Sequence, residues 1–233
     1  LCFEGPDEEL MLTYNTQPAI LTASTACNLV LKEEGFQPDI VAGHSLGEYS
    51  ALVAAGSLDF ADAVRTVRLR GQFMQEAVPL GEGAMAAILG LDEEKIKSIC
   101  TQISTQGATV EAVNFNCPGQ IVIAGATKAV EQAVESMKEA GAKRAVMLNV
   151  SAPFHSTLMQ PAAERLAEVL DTITIRDAVI PVVANVNGEI ERTAADIKAS
   201  LVKQAASPVL WVKCVQAMQA FGADTFVEVG PGK

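Results

Sequence analysis

Aromatic side chains are scarce in this 233-residue chain: one Trp, two Tyr and eight Phe. Basic residues are also in deficit, 17 Lys plus Arg against 28 Asp plus Glu, which leaves a formal net charge of −11. A phosphate backbone is held by clustered cations and unpaired bases by stacked rings, so nucleic acid is excluded as a partner. No apolar run approaches the ~20 residues that a membrane helix needs, and no membrane partner is expected. Histidine is limited to His44 and His155. A histidine-based metal site would have to use both together with carboxylates, nothing local supports one, and no metal is expected. The five cysteines, Cys2, Cys27, Cys100, Cys117 and Cys214, are scattered and odd in number, without a C-x-x-C pair. That spacing indicates neither a zinc site nor a redox dithiol. Free thiols fit a reducing compartment, so a cytoplasmic protein is expected. The opening Leu1-Cys2-Phe3 has neither the charged region nor the apolar core of a signal peptide.

What the chain does have is apolar bulk. Hydrophobic residues make up 49% and charged residues 19%, enough to offset the ordering entropy of a folded core. The length fits one large or two modest domains. Helical spacing of apolar residues predicts helices over 16–34, 46–55 and 59–78, with a short buried strand at 39–43. Between 83 and 151 the texture changes to strand 84–89, helix 92–104, strands 109–115 and 120–125, helix 127–140 and strand 144–150. That β-α-β-β-α-β order is the ferredoxin-like pattern of a small two-layer unit. Afterwards come helix 158–171, strand 181–186, helices 193–205 and 208–221, and strand 225–229. Helices alternating with short apolar strands predict a parallel α/β sheet. The expected fold is α/β: a large, discontinuous catalytic domain (1–82 and 152–233) interrupted by a ferredoxin-like small domain (83–151).

Gly43-His44-Ser45-Leu46-Gly47 is a G-x-S-x-G motif, with an apolar strand leading in and a small-residue helix leading out. That context is the one a strand–elbow–helix requires. The flanking glycines would let strand and helix approach closely. Ser45 would project from the turn as a nucleophile. The Leu46 N–H, at the positive end of the helix, would face an oxyanion on the reacting carbon. The plain alternative is a βα turn whose serine caps the helix.

A serine nucleophile needs a base, and only two imidazoles exist. His44 adjoins the serine, where an elbow neighbour usually points elsewhere. The base should be His155, in Ser151-Ala152-Pro153-Phe154-His155-Ser156, where the chain returns from the small domain to the large one. No Asp or Glu near His155 stands out as a third member, which makes a simple Ser-His-Asp hydrolase less favoured.

Four spaced segments resemble the malonyl-CoA:acyl-carrier-protein transacylase family. They are Gly43-His44-Ser45-Leu46-Gly47-Glu48-Tyr49, the stretch from Val113 to Gly125 that begins Val113-Asn114-Phe115-Asn116-Cys117-Pro118-Gly119, Ala152-Pro153-Phe154-His155-Ser156, and Val227-Glu228-Val229-Gly230-Pro231-Gly232-Lys233. The resemblance covers essentially the whole chain. It implies Ser45 as acyl nucleophile, His155 as base, and the main-chain carbonyl of Gln204 as the group that orients the histidine. It implies that Arg70 binds the malonyl carboxylate, with His44, Phe154, Asn114 and Asn116 lining the substrate, Phe154 limiting α-substituents. Arg65, Arg68 and Arg70 cannot share one helix face, so one could point inward while the others stay solvated. The resemblance further implies malonyl-CoA and acyl carrier protein as partners, no cofactor, and a monomer. Lys143-Arg144 is the candidate contact for an acidic carrier. The family's F-x-G-Q-G motif, which supplies a second oxyanion N–H, has no match, and the family continues past G-P-G-K; a fragment is expected.

Three other functions compete. A serine esterase or thioesterase would need an acid partner for His155 and would not need Arg70. A non-catalytic carrier-docking module would form no acyl adduct. An acyltransferase domain of a polyketide synthase shares the elbow.

Overall fold

A computed structural model describes residues 1–105, 107–150 and 152–231. A one-turn helix α1 (Asp7–Leu10) precedes the long α2 (Thr13–Glu33). Strand β1 (Val41–Ala42) then runs into the elbow and into α3 (Leu46–Ala54), followed by α4 (Phe60–Glu76). The next unit comprises β2 (Gly83–Leu89), α5 (Glu93–Ser104), β3 (Val110–Cys117), β4 (Gln120–Ala126), α6 (Thr127–Glu139) and β5 (Arg144–Met147). A 3-10 turn (Thr157–Met159) leads into α7 (Gln160–Thr172), then β6 (Val182–Val183), β7 (Ile190–Glu191), α8 (Ala194–Gln204) and α9 (Trp211–Phe221).

The strands form two sheets. The middle segment builds an antiparallel sheet in the order β3-β4-β2-β5. The amphipathic helices α5 and α6 cover one of its faces, burying Ile96, Cys100, Ile103, Val130, Ala133 and Met137 against Ile88, Ile121 and Ile123. Asp92 caps α5 by accepting from the Glu94 and Lys95 N–H groups. The other sheet has the order β1-β6-β7. The parallel sheet expected from the alternation of elements is reduced here to a single parallel pair, β1 with β6, and β7 turns back antiparallel. The reason is local: Asn187 and Gly188, with φ 72° at Gly188, make a tight reversal in the short loop between β6 and β7. The expected strand at 225–229 joins neither sheet. Phe226 and Val227 are 50% and 62% exposed, and alternating apolar residues form no strand without an edge to bond to. The helix expected from 208 starts at Trp211, because the residues before it are used elsewhere. Val209 bonds across to Val113 and Phe115 of β3 (2.8 and 3.0 Å) and so stitches the two sheet units together. Ser151, Gly232 and Lys233, each part of a quoted motif, lie outside the described residues.

The large core gathers Leu21, Tyr49, Leu52, Val67, Met159, Leu166, Leu170, Ile197 and Leu201 from α2, α3, α4, the 3-10 turn, α7 and α8. Among the described residues, no helix is long and apolar enough to cross a membrane. Helices α2 and α4 cross so closely at Gly71 that a Cβ there would lie 2.5 Å from the Tyr14 Cα. This contact brings Gln17 of α2 against Arg70, the residue preceding Gly71. Gly71→Ala should therefore lower stability by about 1–3 kcal/mol, the usual cost of overpacking. Urea melts would measure it, and an unchanged midpoint would contradict so close a crossing.

Candidate active site

Strands β1 and β6 point their carboxyl ends the same way, and the site lies just beyond them, where open α/β sheets place their ligands. The chain leaves β1 through Gly43. A Cβ there would meet the Gly47 carbonyl carbon and oxygen at 2.0 Å, so the turn admits only glycine. Gly47 is different, since a Cβ on it would meet nothing within 4 Å. Of the two motif glycines, only the first is required by close backbone approach. Ser45 follows with φ 53° and ψ −107°, a left-handed conformation in a non-glycine residue. Among the described residues only one other non-glycine residue has positive φ, and it is His155, at 63°. Such backbones cost about 1–3 kcal/mol each and persist where surrounding contacts over-determine them.

The two strained residues meet. Ser45 Oγ and His155 Nε2 are 2.7 Å apart. The other ring nitrogen, Nδ1, lies 3.0 Å from the Gln204 carbonyl oxygen, at the end of α8. A carbonyl can only accept, so Nδ1 carries the ring proton and Nε2 presents a bare lone pair to the serine hydroxyl. Among the described residues no carboxylate bonds to His155. Burial, reinforced by the nearby Arg70 charge, pushes its pKa from 6.5 down to about 3. The imidazole is thus neutral and able to take a proton from Ser45.

Arg70 is the large charged side chain at the centre, 2% exposed. Its Nη2 donates to Ser45 Oγ and to Gln204 Oε1, both at 3.0 Å, and Nη1 donates to Gln17 Oε1 at 2.6 Å. The guanidinium also lies 5.7 Å from the Tyr49 ring centroid, and Nε finds no partner. Burial lowers its pKa, offset in part by Tyr49 and Glu48. Among the described residues no carboxylate bonds to it. Its neighbours on α4 behave otherwise: Arg65 is exposed beside Asp62, and Arg68 reaches Tyr14 and Asn15.

The remaining expected residues divide. Leu46 is the first residue of α3, so its N–H has no acceptor within the helix and is available to an oxygen near Ser45. His44 turns away from the serine. Its Nε2 is 2.9 Å from Asn116 Oδ1 and its ring meets Trp211 edge-on at 5.6 Å. Asn116 thereby ties the β3 end to the elbow. Asn114 sits where β3 bridges Val209, with its side-chain oxygen buried and unpartnered. Phe154 packs against both the large core and the face of the antiparallel sheet formed by Met85, Val113 and Val122. Lys143 and Arg144 are exposed. Arg144, Leu89, Gln120 and Cys117 form one row across the sheet, so the basic pair lies at the same end as Asn116.

Three residues escaped the reading of the sequence. Glu48 is buried on α3 and accepts at Oε2 from the Asn185 N–H and from Gln204 Nε2, both at 2.9 Å. Asn185, just past β6, accepts from the Ser45 N–H at 2.6 Å and donates to the Gly43 carbonyl at 2.8 Å. Gln17 anchors Arg70. A signal existed for Glu48, which is the only charged residue between His44 and Asp59 and sits on an apolar helix. The side chain of Gln204 was missed as well, although its backbone was expected.

The acyl transferase domain family matches residues 2–232. The malonyl CoA-acyl carrier protein transacylase of Bacillus subtilis (strain 168) is 58% identical over 233 residues, 100% of this chain and 74% of that protein. Its namesake in Escherichia coli (strain K12) is 54% identical over 231 residues, 99% of this chain and 74% of the relative. Among solved structures, the malonyl CoA-acyl carrier protein transacylase from Coxiella burnetii superposes with a TM-score of 0.96 at 46% identity, covering 98% of this chain and 72% of that one. A malonyl-transacylase in complex with a type II PKS acyl-carrier protein gives a TM-score of 0.96 at 51% identity, over 98% of this chain and 74% of the other.

A stability test follows from the neutral histidine. Unfolded, the imidazole takes up its proton near 6.5; folded, only near 3. Between those values the unfolded chain binds the extra proton, so stability is present above 6.5 and is lost as the pH falls toward 3. From pH 7 to pH 5 the wild type should lose about 2 kcal/mol relative to His155→Gln, measured by urea unfolding at each pH. A constant difference would mean that the folded imidazole takes up its proton as readily as the unfolded one.

Proposed function

This chain belongs to the acyl transferase domain family, among its malonyl CoA-acyl carrier protein transacylases, and from that membership we propose that it carries malonyl groups from CoA to acyl carrier protein through an ester on Ser45. The observation that carries the reading is the buried Arg70 guanidinium, 3.0 Å from the Ser45 oxygen and bonded to no carboxylate among the described residues. A buried cation in that state is costly. A substrate whose own carboxylate reaches it supplies the missing charge, and the planar fork suits a carboxylate through two parallel hydrogen bonds.

In the first half-reaction Ser45 gives its proton to His155 Nε2 and its oxygen attacks the thioester carbonyl. The Leu46 N–H donates to the oxyanion. The C–S bond breaks, the histidine proton goes to the departing sulfur, and a malonyl-serine ester remains with free CoA. In the second, the phosphopantetheine thiol of the carrier gives its proton to His155 and its sulfur attacks the ester. Ser45 leaves and recovers the proton. The Gln204 carbonyl holds the histidine tautomer throughout. Phe154 limits substituents on the malonyl α-carbon, and His44, Asn114 and Asn116 line the acyl-donor side. The chemistry calls for no cofactor.

Around this site we divide the chain into an α/β-hydrolase-like catalytic domain, 1–82 with 152–233, and a ferredoxin-like domain, 83–151. The strand order β3-β4-β2-β5 supports the second description. We read the chain as acting as a monomer. The five unpaired cysteines suit the cytoplasm. The exposed Lys143 and Arg144, at the Asn116 end of the sheet, are where an acidic carrier would dock. The 51% identical transacylase solved with a type II PKS carrier favours a polyketide carrier as a second acceptor.

The test compares malonyl-CoA with acetyl-CoA. Peptide mass spectrometry should find a malonyl adduct on Ser45 that Ser45→Ala abolishes. Arg70→Ala should lower kcat/KM for malonyl-CoA by about 2–5 kcal/mol in transition-state stabilisation, leave acetyl transfer unchanged or faster, and Arg70→Lys should restore only part. An equal fall for both donors would make Arg70 structural and remove the basis for malonyl selection.

A further inference from the structure

We propose that Glu48 is a positioning residue for acyl transfer: one buried carboxylate oxygen holds Asn185 and Gln204 and, through them, Ser45 and His155. The proposal rests on Ser45 being the acyl nucleophile.

Glu48 touches neither reacting atom. It is 3% exposed, and among the described residues no Lys or Arg bonds to it. An apolar residue would fill the same space at lower desolvation cost, so the carboxylate needs another reason to be there. The reason lies in what Oε2 accepts. One bond comes from the Asn185 N–H, and the Asn185 side chain grips the elbow on both sides of His44, at the Ser45 N–H and the Gly43 carbonyl. The other comes from Gln204 Nε2, which also donates to the Ser45 carbonyl at 2.9 Å.

The second bond has a directional consequence. A side-chain amide has a donor end and an acceptor end. With Glu48 and the Ser45 carbonyl both accepting, the NH₂ of Gln204 must face them, and Oε1 must face Arg70 Nη2 at 3.0 Å. Without the acceptor at Glu48, a flipped amide would set its NH₂ against the guanidinium, donor against donor. The same Gln204 gives its backbone carbonyl to His155. The two left-handed residues, Ser45 and His155, are thus braced by groups that share one oxygen.

The charged and titratable groups around Glu48 are Arg70 of α4, Glu191 of β7, Cys214 of α9 and Tyr49 on its own helix. Burial pushes the Glu48 carboxyl up to about 7, against the two hydrogen bonds and Arg70. A proton on the other oxygen leaves Oε2 an acceptor, so both bonds survive protonation. A glutamine can present its amide oxygen in the same place.

The experiment follows Ser45 with two reagents, phenylmethanesulfonyl fluoride and malonyl-CoA, alongside thermal melting. Glu48→Gln should react with each within about threefold of wild type, whereas Glu48→Ala should slow both by about 30-fold or more while KM for malonyl-CoA stays within about threefold. Asn185→Ala should resemble Glu48→Ala, and the double variant should be slower than the worse single by no more than about threefold, as expected for residues acting as a unit. Folded Glu48→Ala at the wild-type rate, Glu48→Gln as slow as the alanine, or multiplicative losses would each overturn the proposal. Should Glu48→Ala fail to fold, Glu48→Gln decides alone: near-wild-type rates support the proposal and a large loss ends it. If the sulfonyl fluoride rates follow the expected pattern while malonyl-CoA leaves the wild type unmodified, the substrate assignment falls and the positioning role stands.

Discussion

Gln204 is the residue on which the site turns. It closes α8, and its carbonyl, amide nitrogen and amide oxygen each meet a different part of the chemistry: His155, the Ser45 carbonyl with Glu48, and Arg70. A helix end ordinarily leaves its last carbonyls to water or to a cap. Here one of them sets an imidazole tautomer in a buried site. A carbonyl does what a carboxylate does in many serine enzymes, yet it adds no full negative charge. The imidazolium formed during proton transfer is therefore stabilised less, while the neutral base is held firmly. That balance fits a transfer in which the ester must survive until the second thiol arrives.

The charge pattern follows from the same choice. Among the described residues no anion bonds to the histidine, and burial first, then the nearby Arg70 cation, hold His155 neutral. Glu48 supplies a carboxylate one residue removed, bonded to the glutamine instead of the imidazole or the guanidinium. The negative group orders the amide without bonding the guanidinium. The antiparallel unit contributes by contact. Val209 and Asn116 join it to the catalytic half, and Phe154 packs on both.

Much of this was legible in the residues, and the limits have physical causes. The elbow could be read because glycine spacing and a flanking strand and helix are local. His155 followed by elimination, there being only two imidazoles. The Gln204 carbonyl and the inward turn of Arg70 came from resemblance, since nothing local distinguishes a carbonyl from its neighbours or one helix arginine from three. Glu48, Asn185 and Gln17 were missed because their roles arise from contacts spanning 53 to 156 residues in sequence, which no periodicity reports. The antiparallel unit was anticipated nearly strand for strand because its elements are long and strongly patterned, although only β3 and β4 pair as chain neighbours while β2 pairs with β4 and β5 across the intervening elements. The other sheet was over-predicted. Two-residue strands such as β1 and β6 carry a weak period, and the apolar run at 225–229 looked like a strand without having a partner.

The orientation and protonation of one ring carry the account, and nitrogen NMR of ¹⁵N-histidine-labelled protein reads both directly. Only His44 and His155 contribute ring signals, and a His44→Gln sample assigns them. The arrangement predicts a His155 ring protonated at Nδ1 and bare at Nε2, unchanged from about pH 7 to about pH 5. A proton on Nε2, or an imidazolium already present at about pH 6, would contradict it.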